Sequence, residues 1–274
     1  HIDSGYTRQG ELDVRQLFDM QDITGQVVEK QAVIEDELTQ LKLVLEGSEP
    51  DIGIGRQCHA PYDCDFIGYC WQSVPHPSVL DLYKLSGERK FEWFHRGIVR
   101  YQDIPASATL NAAQSLQVTT ALRGEAYLDR PRLSEYLAGV EYPINFLDFE
   151  SFQEAIPRFD GQKPYMKMPF QYSLHILHED GRLEHKEFLA DEFADPRADL
   201  ARALIRDITP HGTIMAYHQS FEIGVISGLA NRFEELHAAL MAMTHRFNDL
   251  IIPFRRLIYY HPDFNGSFSI KDVL

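Results

Sequence analysis

Two short apolar stretches separated by four polar residues constrain this chain more than any other feature. Phe170 to His178 and Leu183 to Leu189 flank Glu179-Asp180-Gly181-Arg182. An Asp-Gly pair supplies the positive-φ residues that a tight hairpin needs, so the two stretches are expected as antiparallel strands. Just upstream, after Pro143, Ile144-Asn145-Phe146-Leu147-Asp148-Phe149-Glu150 is a third strand candidate, giving three antiparallel strands in succession. Asp195-Pro196 then opens a helix to about Ile208, and Thr213 to Tyr217 is a short buried strand. Helices over Phe221–Phe233 and Glu234–Met243 and a strand over Phe247–Ile252 complete a β-β-β-α-β-α-α-β order. That order specifies an α/β fold with a mixed five-stranded sheet over 141–274.

The pattern before Pro143 differs. From Asp22 to Glu46 the apolar positions Val27, Ile34, Leu38, Leu41 and Leu45 advance by 7, 4, 3 and 4 residues, one face of a long helix that Gly47, Ser48 and Pro50 stop. Gly53 to Trp71 reads as irregular. Helices are expected over Asn111–Leu122 and Arg132–Leu137, the latter with Pro131 at its start. Residues 1–140 are thus a mainly helical region around a cysteine-bearing loop, and the domain boundary is placed near residue 140.

Apolar residues make up 44% and charged residues 24% of the 274, which excludes disordered and collagen-like chains. No run approaches eighteen apolar residues and no basic-then-apolar leader opens the chain, so neither a membrane nor a secretory pathway is expected. Because the chain opens on His1 without Met, an N-terminal tag remnant or an excised fragment is expected. The net charge of −15 argues against broad electrostatic capture of nucleic acid. It leaves room for chemistry in which carboxylates hold divalent cations. Residues 1–140 hold 13 basic and 21 acidic side chains and residues 141–274 hold 13 and 20, so charge does not separate the halves. The only cysteines, Cys58, Cys64 and Cys70, crowd into thirteen residues. An odd, local set favours a reducing, cytoplasmic compartment and a metal or cluster over disulfides.

Asp148 and Glu150 stand two residues apart on one strand and so share a sheet face. Neighbouring carboxylates repel unless cations neutralise them, and Phe146, Leu147, Phe149 and Phe152 imply a largely buried setting, which outlines a Mg²⁺ or Mn²⁺ site. Taken alone, an Asp-x-Glu is also what a strand end reaching solvent looks like. A second segment, Tyr217-His218-Gln219-Ser220-Phe221-Glu222-Ile223-Gly224, follows the fourth strand and starts a helix. There Glu222 reads either as a ligand or as a favourable acid in a first helical turn.

Together these residues resemble the DEDD family of 3′–5′ exonucleases, which share the ribonuclease-H-like fold. The family's first motif is Asp-x-Glu on the first strand, matched by Asp148 and Glu150. Its second is a His-Asn-x-x-Phe-Asp type segment, matched in position by Tyr217 through Glu222. Here His218 replaces the Asn and Glu222 the Asp, which lengthens the acid by about 1.5 Å. Asp249, in Phe247-Asn248-Asp249-Leu250-Ile251, resembles the Asp-Leu or Asp-Thr strand that many members carry next. No third motif is found before Ile270-Lys271-Asp272-Val273-Leu274, so the domain is expected to be truncated, with Asp272 a weak substitute. The resemblance implies two ions about 4 Å apart, with Asp148 bridging both, Glu150 on the ion near the nucleophilic water and Glu222 on the second. It names no general base.

The cysteine segment, Cys58 to Trp71, has five residues between successive thiols, unlike the Cys-x-x-Cys knuckles of structural zinc. It resembles the C-terminal cysteines of RecB-like and Cas4-like nucleases, in which a distant fourth cysteine completes a 4Fe-4S cluster. Zinc with His59 as fourth ligand and three unliganded thiols stay open as alternatives. Without a cluster, the 53–71 loop is expected to be mobile or held by Tyr62, Phe66 and Trp71 against helices. With the runs at 169–175 and 266–271, both resemblances point to an uncharacterised bacterial family joining a RecB-like nuclease segment to a DEDD-type domain. The implied function is a metal-dependent exonuclease acting on single-stranded DNA or RNA ends. The rival is a catalytically weak nucleic-acid-binding or scaffold domain of a larger nuclease.

Overall fold

A computed structural model describes residues 1–274. Helices α1 (Val14–Leu17), α2 (Thr24–Glu46), α3 (Ile67–Cys70), α4 (Gly87–His95) and α5 (Ala112–Arg123) precede the first strand, β1 (Tyr127–Leu128), and helix α6 (Arg130–Ala138). Strands β2 (Ile144–Phe152), β3 (Met168–Leu177) and β4 (Leu183–Leu189) then run into α7 (Arg197–Asp207), β5 (Ile214–Ala216), α8 (Ser220–Arg232), α9 (His237–Thr244) and β6 (Phe247–Asp249). Helix α10 (Ile252–Arg255), β7 (Tyr259–Tyr260) and α11 (Ile270–Val273) close the chain. No helix is long and apolar enough to cross a membrane.

The chain forms two compact units. One comprises His1–Gly53 and Ser151–Met168; the other comprises Ile54–Glu150 and Pro169–Leu274. No seam falls near residue 140. The reason lies in pairing that the strand pattern alone does not show: Tyr127 and Leu128 pair antiparallel with Tyr260 and Tyr259, which ties the segment before residue 140 to the C-terminal part.

In the larger unit five strands lie in the order β4-β3-β2-β5-β6. The hairpin pairs antiparallel as the Asp-Gly turn demands, from Gln171 opposite Leu189 to Leu177 opposite Leu183, with Gly181 at φ 85°. Strand β5 is parallel to both β2 and β6, so the sheet is mixed. Leu147, Phe149, Tyr172, Leu174 and Ile176 bury one sheet face against Leu200, Leu204, Ile226 and Leu229 of α7 and α8. Complete burial of a leucine of this kind contributes roughly 2–3 kcal/mol. A polar anchor closes the edge of this core. Tyr172 donates to Asp207 Oδ2 at 2.6 Å, and Arg206 donates to both oxygens of the same carboxylate at 2.9 and 3.0 Å. Burial alone would raise Asp207, but these donors hold its carboxyl below the ordinary range.

Backbone freedom is required at the entry to β2. Gly212 has φ 85°, and a Cβ there would meet the Pro143 carbonyl oxygen at 2.1 Å. Buried Asn145 secures the same corner, its amide donating to Thr209 Oγ1 at 2.7 Å and its carbonyl accepting from Thr209 N at 3.1 Å. Helix α5 starts where expected because Asn111 and Gln114 form a reciprocal capping box, and it ends on left-handed Gly124. Its inward Gln117 accepts from Tyr83 N and donates to Tyr101 Oη and the Asp81 carbonyl.

In the smaller unit, Arg8 donates to the Pro157 carbonyl at 3.0 Å and Gly10 N to Asp160 Oδ1 at 2.8 Å. Gln162 is fully buried there, its Oε1 accepting from Arg158 N and Phe159 N. The long helix α2 forms over the expected span, but none of its residues is buried.

Candidate functional site

The acidic residues Asp148, Glu150, Glu222 and Asp249 stand on or just after three adjacent parallel strands. Phe146 of β2 lies beside Met215 of β5, and Ala216 of β5 lies beside Asp249 of β6. Asp148 therefore sits just beyond the paired part of β2. Asp249 ends β6, and Glu222 sits in the first turn of α8, which starts four residues after β5 ends. All three stand at the carboxyl ends of the parallel strands, where open α/β sheets place their ligands.

Asp148 and Glu150 share a face as the alternation requires, but the expected buried setting is not what they have: both are exposed. The aromatic neighbours explain the difference. Leu147 and Phe149 point into the core under α7 and α8, and the same alternation turns the acids to the open side.

Glu222 is buried, only 4% exposed, and its Oε2 has no hydrogen-bond partner. Burial pushes its carboxyl up to about 7, and the negative charges of Asp148 and Asp249 push in the same direction. Glu222 thus lies within electrostatic reach of both aspartates. Glu150 is not among the charges that act on it.

Asp249 is buried and fully engaged. Its Oδ1 accepts from His218 N at 2.7 Å and Ile251 N at 3.1 Å, and its Oδ2 accepts from Gln219 N at 3.1 Å. This carboxylate clamps the turn between β5 and α8. The clamp sustains an unfavourable backbone: His218 has φ 68° without being glycine. The position of the Asn in the resembled motif is therefore a strained corner whose amide, rather than its side chain, binds Asp249. Tyr136 of α6 adds a bond from outside the sheet, its hydroxyl donating to the Asp249 carbonyl at 3.0 Å. Burial, and then the charge of Asp249, push the Tyr136 phenol up to about 12. Nothing in the sequence marks Tyr136, since it lies more than a hundred residues upstream on a helix with no motif.

Beside this corner opens a shallow pocket that sequence reasoning also missed. Tyr83, Lys84, Tyr217, His218, Arg255 and Phe268 line it, together with the 266–270 turn. Tyr217 fixes that turn by donating to the Phe268 carbonyl at 2.7 Å. Gly266 permits it, because a Cβ at φ 80° would meet the Asp81 carbonyl oxygen at 2.6 Å. Asp272 acts on the Tyr217 hydroxyl rather than on Glu222.

The cysteines occupy a run of tight turns. Cys64 N donates to the Cys58 carbonyl at 2.9 Å, and Cys70 N to the Phe66 carbonyl at 2.9 Å. Cys58 is buried, Cys64 and Cys70 are exposed, and all three are free thiols. His59 Nδ1 pairs with Asp63 at 2.8 Å. Of the three aromatic residues expected to hold this loop, Trp71 alone packs, edge-on to His59 and to Phe91 of α4. Tyr62 and Phe66 are 84% and 69% exposed. Within this short segment the tight turns satisfy the backbone and carry those rings outward. Neither the thiols nor the acids form a group of three side chains gathered closely enough to hold a metal ion. In chemistry the acids supply hard oxygen donors, one of them unpartnered, as Mg²⁺ or Mn²⁺ requires.

A family model described as a domain of unknown function (DUF2779) matches residues 145–269. The match takes in all four acids and the 266–269 turn, and leaves out the cysteine loop and α2. A search of curated proteins and a search of solved structures each found no match.

Proposed function

We propose that this chain is a metal-dependent 3′–5′ exonuclease, or a related nuclease, acting on single-stranded ends of DNA or RNA. One observation carries the reading: a buried glutamate with an unpartnered oxygen lies within electrostatic reach of two aspartates at the carboxyl ends of three parallel strands. Ionising a buried carboxyl beside two further negative charges is unfavourable unless cations compensate it. The strand order β4-β3-β2-β5-β6, with β2, β5 and β6 parallel, is compatible with a ribonuclease-H-like sheet and supports the same reading.

Divalent ions would supply an attacking hydroxide and stabilise the leaving 3′ oxygen. Asp148, Glu150 and Glu222 would hold them. Asp249 positions rather than ligates, because its two oxygens fix the His218–Gln219 turn and thereby the start of α8. Lys84 and Arg255 would attract the phosphates, and the rings of Tyr83, Tyr217 and Phe268 offer stacking surface for a terminal base.

The test is hydrolysis of 5′-labelled single-stranded DNA and RNA with Mg²⁺ or Mn²⁺. A ladder shortening from the 3′ end is expected, and Asp148→Asn should slow it by about 10²-fold or more, since an amide cannot hold the ions. Undiminished hydrolysis by that variant overturns the reading. The rival, a nucleic-acid-binding scaffold with little catalysis, is favoured by one observation, that no three acids are gathered into a ligand set. It predicts binding of the labelled strands without cleavage under any divalent ion.

A further inference from the structure

The 23-residue helix α2 has no buried residue, although Val27, Ile34, Leu38, Leu41 and Leu45 form a continuous seam along it. These side chains are between 43% and 85% exposed. A seam of this size facing water is costly and calls for a covering surface. We infer that α2 pairs in parallel with α2 of a second copy of this chain, as a two-stranded coiled coil.

The spacing is compatible with that geometry. Steps of 7, 4, 3 and 4 keep all five side chains at a or d positions of one heptad frame, as a two-stranded coiled coil requires. Val27, Ile34 and Leu41 take the d positions and Leu38 and Leu45 the a positions, with Gln31 the one polar residue in the middle of the seam. A single polar a residue fixes register.

The flanking charges choose the partner and its direction. Lys30 and Glu37 fall at g, and Glu35 and Lys42 at e. In a parallel pair each g residue meets the e residue five positions on in the partner. Lys30 therefore meets Glu35 and Glu37 meets Lys42, each twice by symmetry. In the antiparallel alignment that overlaps the helices most fully, Glu35 would face its own counterpart and so would Glu37, placing like charges together. The same four residues thus favour a second parallel copy and disfavour the reversed one.

Sedimentation equilibrium of the 274-residue chain between about 1 and 100 µM should give a concentration-dependent dimer. Lys30→Glu with Lys42→Glu, and separately Glu35→Lys with Glu37→Lys, should each raise the dimer dissociation constant by about tenfold or more. An equimolar mixture of the two variants should restore association. All four residues are exposed, so the variants leave the fold intact. With Cys58, Cys64 and Cys70 replaced by alanine, Gln31→Cys should cross-link to its counterpart under mild oxidation. A chain that stays monomeric throughout, a dimer indifferent to the charge reversals, or a dimer that fails to cross-link at position 31 overturns the inference.

Discussion

Glu222 carries two properties that pull apart. Its burial and its negative neighbours favour the protonated form, yet the proposed chemistry needs it ionised. With its carboxyl near 7 in the fold against an ordinary value of 4.5, the folded state binds more protons than the unfolded state between those limits. Stability without divalent ions should therefore fall as pH rises from about 4.5 to 7 and stay low above it, by about 3 kcal/mol in all at about 1.4 kcal/mol per unit. Glu222→Gln should flatten that slope and melt higher than the parent at pH 8, as thermal unfolding across pH will show. A parent that gains stability from pH 5 to pH 7 relative to the variant contradicts the assignment. Removing Asp249 should destabilise where removing the Glu222 charge stabilises. Asp249→Ala leaves three backbone N–H groups without their acceptor and releases the strained His218 corner, so it should cost about 2 kcal/mol or more in denaturant unfolding, with or without metal.

Among the elements, the hairpin and helices α5 to α9 of the larger unit are legible in the sequence because their signals are local, whereas α4 and the short α3 and α10 are not. The Asp-Gly turn fixes β3 against β4, and the Asn111/Gln114 box fixes the start of α5. Alternation correctly put Asp148 and Glu150 on one face. What it could not supply is which face the core takes, and the flanking phenylalanines, read as a sign of burial around the acids, bury themselves instead. The pairing of β1 with β7 and the reach of Tyr136 to Asp249 are equally hidden, since each joins residues more than a hundred positions apart through two-residue or single-atom contacts. Long-range closure also yields a prediction for the corner before β2. Gly212→Ala should destabilise the chain by about 2–3 kcal/mol, because both the positive φ and the Pro143 carbonyl oppose a Cβ. Gly25, where a Cβ meets nothing within 4 Å inside α2, should tolerate alanine or gain stability from it. Equal effects at the two glycines, measured by chemical denaturation, would show that the corner is not strained.

At the scale of the whole molecule, charge and cysteine chemistry set the expectations. A chain of net charge −15 must meet nucleic acid through a local basic patch or through bound cations, so affinity for single strands without divalent ions should be weak and should fall steeply with salt. Lys84→Glu with Arg255→Glu should abolish what remains in fluorescence anisotropy while leaving the melting temperature unchanged. For the cysteine loop, three thiols that are not gathered cannot supply the four ligands of a 4Fe-4S centre. The 274-residue chain should carry far less than four irons per molecule after anaerobic reconstitution, and a brown, iron-replete product would mean that a side chain other than these thiols completes the site.

The unpartnered oxygen of Glu222 also has a calorimetric consequence. A carboxyl that is protonated at pH 6 and ionised when a cation takes the site must hand its proton to the surrounding solution. Titrating Mn²⁺ into the protein at pH 6 should therefore give an apparent enthalpy that varies with the ionisation heat of the buffer, with a slope near one proton per site. At pH 8 the same titration should be nearly independent of the buffer. The site would then report its own occupancy as acid released, without any nucleic acid present.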